Sequence, residues 1–257
     1  MKHQYRALTV KVMPSNSALG AGAASDFAVA ISSALETRDE VCVILATGNS
    51  QLSFASALRG RADIEWSRIT VLHMDEYLGM PASHPASFRR WIEDNIVGPL
   101  KPKAFHGIRA DQTPVGDEIL RYTEIVRSLD PVVCVMGIGE NGHLAFNDPP
   151  ADFETHELMH VVELDEACRM QQVREGHFSS LDETPRRALS LTVHALLRPT
   201  HILVLVPEAR KAGAVKAALE GPVTPLCPAS ILQTASNAQL YLDQDSASLL
   251  TPEGTKT

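Results

Sequence analysis

Short apolar runs separated by longer helix-like stretches constrain this chain more than any other feature. Val41–Leu45 (VCVIL) and residues 132–136 (VVCVM) are apolar throughout, and His201–Val206 (HILVLV) is apolar after its first residue. A strand with one solvated face alternates polar and apolar residues. An unbroken apolar run is instead buried on both faces, as in a parallel sheet covered by helices on either side.

Similar reading predicts further strands at 7–13, Ile69–His73 and 238–242. Helices are predicted from Ser25-Asp26 to about 36, after Ser50, and over 85–97, 117–128 and 208–219. Strand and helix in alternation argue a three-layer αβα Rossmann-like fold with a mostly parallel sheet. With 257 residues and no repeat or linker, residues 1–257 are expected to form a single domain.

Composition narrows the function. Lys and Arg number 23 against 31 Asp and Glu, a net charge of −8, which disfavours nucleic acid and anionic membranes as partners. A small anionic substrate remains compatible, because a few cations can dominate one pocket. No stretch reads as the roughly 18 apolar residues of a membrane span, and the N-terminus has no secretory pattern, so a cytoplasmic protein is expected. Cys42, Cys134, Cys168 and Cys227 lie far apart, a spacing that suggests neither zinc nor a disulfide framework. No subunit interface is legible, and a homo-oligomer stays compatible with the sequence.

Ligands of such sheets bind beyond the carboxyl ends of the strands, which singles out loops 46–50, 74–79 and 137–150. The last contains Gly137-Ile138-Gly139-Glu140-Asn141-Gly142, a literal G-x-G-x-x-G, with Glu163 about 20 residues on. Dinucleotide binding also needs a long helix opening at the glycines, and Asn147-Asp148-Pro149-Pro150 interrupts the chain too soon. The loop offers His143 among Glu140, Asn141, Asn147 and Asp148, a set suited to shuttling a proton, although a lone loop histidine more often caps a turn. Asp75-Glu76 ends another strand and reads equally as a helix cap or as half of an acid–base pair.

Met74-Asp75-Glu76-Tyr77-Leu78-Gly79, followed by His84-Pro85-Ala86-Ser87, resembles the M-D-E-Y-x-G…H-P-x-S signature of glucosamine-6-phosphate deaminases. GIGENGHLAFNDP over 137–149 is similar to their G-x-G-x-[DN]-G-H-[IL]-[AG]-F-N-E-P loop. Thr47-Gly48, Arg169 in ACRMQQ and Lys211 in PEARK resemble their phosphate-binding residues, and the likeness runs from about 45 to 233.

The resemblance implies conversion of glucosamine 6-phosphate and water to fructose 6-phosphate and ammonia, with no cofactor or metal. It implies His143 as the ring-opening proton shuttle, Asp75 as the base at C2 and C1, and Glu76 as a structural residue. Thr47, Gly48, Arg169 and Lys211 would hold the phosphate. Asn141 stands where the family often has Asp, and would orient His143. Asp148 stands for the usual Glu, one methylene shorter, so its contact with His143 is expected to be long or water-bridged.

Cys168, Trp66, Trp91 and Phe88 are expected to pack, His73 to turn away from the pocket, and His177 to lie near the phosphate cations. A 6-phosphogluconolactonase-type hydrolase and a catalytically inactive sugar-phosphate-binding regulator are the alternatives. Asp75-Glu76-Tyr77 and Gly142-His143-Leu144-Ala145-Phe146-Asn147 fit the lactonase motifs less well than the deaminase ones. Regulated deaminases bind an acetylated effector through cations in the segment corresponding to 150–160, which has no Lys or Arg here. N-acetylglucosamine 6-phosphate should therefore leave KM unchanged in rate assays, and a severalfold shift would contradict this.

Overall fold

The structure, a computed structural model, describes residues 2–174 and 176–251, apart from the side chains of Lys2, Ala167 and Gln171. The polar tail beyond 251 lies outside the described residues. The strands are β1 (Lys2–Tyr5), β2 (Leu8–Met13), β3 (Val41–Leu45), β4 (Ile69–His73), β5 (Asp75–Tyr77), β6 (Ala104–His106), β7 (Val133–Met136), β8 (Met159–Glu163), β9 (Arg187–Leu191), β10 (His201–Val206) and β11 (Ala238–Asp243). The helices are α1 (Asn16–Leu35), α2 (Leu52–Arg59), α3 (Phe88–Ile92), α4 (Gly98–Leu100), α5 (Val115–Leu129), α6 (Glu166–Arg174), α7 (Val193–Leu197) and α8 (Ala212–Glu220).

The main sheet runs β1-β2-β11-β10-β7-β3-β4-β6. Every neighbouring pair is parallel except β1 with β2. The apolar runs do what their composition demands. Along β3, Val41, Val43 and Leu45 face a core shared with α1 and α2, while Cys42 and Ile44 face the opposite core. This is the expected α/β architecture, with helices on both faces of a mostly parallel sheet.

Several boundaries differ from the sequence reading. Helix α1 starts at Asn16 rather than near Ser25, capped by Ser15 Oγ, which accepts from the Ala18 N–H at 3.2 Å. Its first turns are small residues with little amphipathic pattern, and that is what hid them. Smallness has a packing reason: a Cβ on Gly20 would lie 2.5 Å from the Ser53 carbonyl carbon of α2. Asp26 caps nothing; it pairs with Lys11 and accepts from the Tyr241 hydroxyl.

By length and mean hydropathy of 1.4, α1 is also apolar enough to cross a membrane, contrary to expectation. Its Leu19, Ala23, Phe27 and Ile31 are buried against the sheet. The helix predicted over 85–97 begins only at Phe88, capped by Ser87, and passes through a π turn at Glu93–Val97 into α4. Strands β1 and β6 escaped detection because they are short and lie at sheet edges.

So did a second, antiparallel sheet, β5-β9-β8. It sits on an aromatic cluster of Tyr77, Phe146 and Phe178, with Phe88 packed against them. Strand β5 follows β4 after Met74 alone, so Asp75 and Glu76 leave the main sheet at once for the small one.

Candidate active site

Strands β4 and β6 lie on one side of β3, and β7, β10 and β11 on the other. Strand order therefore reverses between β3 and β7, where their carboxyl-end loops part and leave a crevice. A cleft of about 690 Å³, counted out to its open mouth, occupies this position. Thr47, Gly48, Asp75, His143, His177 and Lys211 line it, together with Arg210.

After β3, Thr47-Gly48 leads into a 3-10 turn at Asn49–Gln51 and then α2. Gly48 has φ +90° and ψ 179°, a conformation that costs glycine little, and nothing lies within 4 Å of where its Cβ would be. Backbone at the start of a helix thus faces open space, with the N–H groups and dipole that favour an anion.

After β4, Asp75 is 7 % exposed and paired across the small sheet with Ser190. Burial pushes its carboxyl well above the ordinary range, and the neighbouring Glu76 carboxylate adds to the rise. Glu76 faces away from the cleft. It accepts from the backbone N–H groups of Tyr77, Phe88 and Arg89 at 3.0, 3.2 and 2.9 Å, and from Ser87 Oγ at 2.7 Å. It ties β5 to the start of α3, the structural role the resemblance implied. His73 is fully buried and turned from the cleft, its Nε2 accepting from the Ile108 N–H at 2.7 Å. Burial, with help from Arg89, pushes its pKa down to about 3, so it stays neutral.

After β7 the chain folds tightly on itself. The Gly139 N–H donates to the His143 carbonyl at 3.0 Å, and the Gly142 N–H to the Gly139 carbonyl at 3.0 Å. Gly142 takes φ +86° and Ala145 φ +51°. The turn presses the His143 ring onto Gly139, where a Cβ would fall 2.2 Å from Cε1.

Behind the ring, His143 Nδ1 stands 3.1 Å from Asp148 Oδ1. The spacing is that of an ion pair, an electrostatic contact rather than a well-directed hydrogen bond. The shorter side chain at 148 therefore touches His143 directly, correcting the expected long or bridged contact. Burial alone would raise the Asp148 carboxyl; His143 first, then Asn141, outweigh it and hold the group below its usual value.

Asn141 works one step removed from the ring. Its Oδ1 accepts from the His143 backbone N–H at 3.1 Å, and its Nδ2 donates to Asp148 Oδ1 at 2.9 Å. It positions the carboxylate rather than the imidazole. Asn147 donates to the Leu144 and Leu191 carbonyls at 2.7 and 2.9 Å and holds the loop against β9.

The cations divide. Lys211, 5 % exposed, lies at the cleft in the 3-10 turn that precedes α8. Arg169 does not line the cleft. Its guanidinium donates to the Leu181 and Thr184 carbonyls, reaching Thr184 at 3.1 Å, and braces the chain ahead of β9. Contact with a phosphate would require it to leave these carbonyls. Arg210 does line the cleft, beside Glu140 and Glu208 at 3.2 and 2.6 Å. Sequence reading missed it because only its neighbour Lys211 matched a motif; two adjacent cations after a predicted strand were the available signal. His177 lines the cleft, and Cys168 is buried in α6 with its thiol pushed up by burial.

A buried carboxylate, an imidazole backed by a second carboxylate, and cations beside a helix start share one crevice. That set defines an α/β protein equipped for proton transfer on a small anionic molecule. The family model described as glucosamine-6-phosphate isomerases/6-phosphogluconolactonase matches residues 14–241, and the chain belongs to that family.

A glucosamine-6-phosphate deaminase of Exiguobacterium sibiricum is 32% identical over 216 residues, 83% of this chain and 82% of the relative. One from Streptococcus uberis is 31% identical over 209 residues, 80% and 86% of the two chains. Among solved structures, a glucosamine-6-phosphate deaminase described as monomeric superposes with TM-score 0.85 at 28% identity, covering 94% of this chain and 99% of its own. A 6-phosphogluconolactonase of Thermotoga maritima shares the fold at TM-score 0.73 and 18% identity, covering 92% and 99%.

Proposed function

We propose that the protein is a glucosamine-6-phosphate deaminase acting in the cytoplasm. The observation that carries the reading is that Asp75, His143, Lys211 and the turn at 47–50 ahead of α2 all line one cleft. The phosphate docks at Thr47-Gly48 and the N–H groups beyond, against Lys211 and Arg210, which leaves the sugar carbons toward Asp75. Arg210 takes the place that the resemblance gave to Arg169.

Chemistry then follows from the groups present. His143 moves a proton between the anomeric hydroxyl and the ring oxygen, opening the pyranose, while Asp148 stabilises the transient imidazolium and Asn141 holds Asp148 in place. Asp75 removes the C2 proton; that electron pair forms the C1=C2 double bond while the carbonyl pair moves to O1, which takes a proton from the C2 ammonium, giving an enolamine. The same carboxyl returns the proton to C1, since a planar intermediate keeps one face toward it. Water adds at C2 of the resulting imine, ammonia departs, and the ketose remains.

The test is stoichiometric release of ammonia and fructose 6-phosphate from glucosamine 6-phosphate. Turnover of a 6-phosphogluconolactone instead, or tight binding without turnover, would overturn the reading. Lys211→Met removes the buried charge opposite the phosphate. A hydrogen bond to a charged group contributes about 1.5–3 kcal/mol, so KM should rise about 10–100-fold with a smaller change in kcat. An unchanged KM would remove Lys211 from the phosphate site.

A further inference from the structure

Three donor atoms of different chemistry meet behind the cleft. His143 Nδ1, a carboxylate oxygen of Asp148 and Cys168 Sγ all lie within 4.8 Å of one another. Nothing along the chain hints at this, because the residues are scattered over two segments and no cysteine has a metal-ligand spacing. The fold brings them together: the turn after β7 aims His143 back at Asp148, and the first turn of α6 supplies Cys168. The Cys168 N–H donates to Asp165 Oδ1 at 2.6 Å, which fixes the residue at that helix start.

A second observation marks the spot. Among the described residues, no well-directed hydrogen bond satisfies the buried atoms His143 Nδ1 and Asp148 Oδ2, and their side chains are only 12% and 10% exposed. Buried polar atoms are nearly always hydrogen-bonded; here the ring nitrogen has its 3.1 Å contact with Asp148 Oδ1 and the Cys168 thiol pairs with the same carboxylate, so a cation that displaced both protons would find three donors already gathered.

We infer that His143, Asp148 and Cys168 form an inhibitory site for a thiophilic divalent cation, Zn2+ or Cd2+. Imidazole, carboxylate and thiolate together are a donor set of zinc type, with bond lengths of about 2.0–2.3 Å. The His143–Asp148 separation of 3.1 Å needs little change to place both donors on one tetrahedral ion. Water or a substrate hydroxyl would fill the fourth position from the cleft side. Coordination releases the Cys168 proton to solvent and shifts the imidazole proton of His143 from Nδ1 to Nε2, a cost that a soft ion recovers through its sulfur bond and Mg2+ does not. The bound ion takes the nitrogen that faces Asp148 and removes that carboxylate as the imidazole's partner.

Cadmium titration of the metal-free protein tests this, read by the ultraviolet sulfur-to-cadmium charge-transfer band. The expected result is one Cd2+ per chain, a band lost in Cys168→Ala and kept in Cys227→Ala, and no displacement by Mg2+. Cys227 is the control because it is the more exposed thiol near this turn, 3.1 Å from a Cβ at Gly142. Cys168→Val, which fills the same space, replaces the alanine variant if that one unfolds. Saturating Zn2+ should lower turnover at least about 100-fold, the scale of a histidine's acid–base contribution, reversibly with EDTA and not in the Cys168 variant. A wild-type protein without the band, or a band surviving loss of Cys168, would overturn the site. The turnover arm rests on the deaminase reading and the spectroscopic arm does not, so failure of one is distinguishable from failure of the other.

Discussion

Asp75→Asn should abolish turnover while leaving a folded protein that still binds the sugar phosphate. An amide cannot take the C2 proton, and a positioned general base contributes about 10²–10⁴-fold. The loss should appear in kcat, because the phosphate contacts proposed for Thr47, Gly48 and Lys211 remain. A variant retaining more than about one part in ten of the rate would remove Asp75 from the reaction.

Wild-type pH dependence follows from the same carboxyl. Burial, then Glu76, pushes Asp75 well above the ordinary carboxylate range. The base is ionised only above that raised value, so kcat/KM should fall on the acid side at a pH where an exposed Asp would still be fully ionised.

Stability carries the opposite sign. The folded protein keeps a proton that the unfolded chain has already released. The contribution of Asp75 is therefore complete below the unfolded value, about 4, and is lost as pH rises through the folded one. Asp75→Asn should melt higher than wild type at pH 8, by about 2–4 °C for each kcal/mol of relief, and the gap should close near pH 3. Equal melting temperatures at pH 8 would mean that Asp75 is not held in a desolvated site.

Gly139→Ala should disable ring opening while leaving every catalytic side chain in the protein. The new methyl would overlap the His143 ring at 2.2 Å, far inside contact distance, and the imidazole must move off its line to Asp148. A misplacement of about 1 Å can cost about 100-fold, so kcat should drop on that order while KM changes little. Gly142→Ala is a different case: φ +86° and a Cys227 Sγ at 3.1 Å strain the turn itself, and that variant should lose thermal stability. If Gly139→Ala keeps full activity with an unchanged pH profile, the position of the His143 ring does not limit the reaction.

Much of the architecture was legible in the chain because long-range burial leaves a local mark. VCVIL is apolar at every position since both faces of β3 meet cores, and the runs that became β4, β7 and β10 carry the same mark. Elements without such a mark were lost. The small residues at the start of α1 carry almost no periodicity, and β5, β8 and β9 pair only with each other. The motif loops placed Asp75 and His143 at strand ends, but motif likeness could not say which cation reaches the cleft. Arg169 matched a pattern and braces the chain ahead of β9, whereas Arg210 matched none and lines the site.

The sequence by itself determined the α/β class, the strands of the sheet centre, and the loops that carry the chemistry, since each follows from residue types adjacent along the chain. Tertiary structure alone decided what those residues meet. The reversal of strand order between β3 and β7 brings residues 47, 75, 143 and 211 to one crevice, and the turn after β7 sets His143 against Asp148 and Cys168. Distances between side chains far apart in the chain are fixed by packing, and packing is a property of the whole sequence at once.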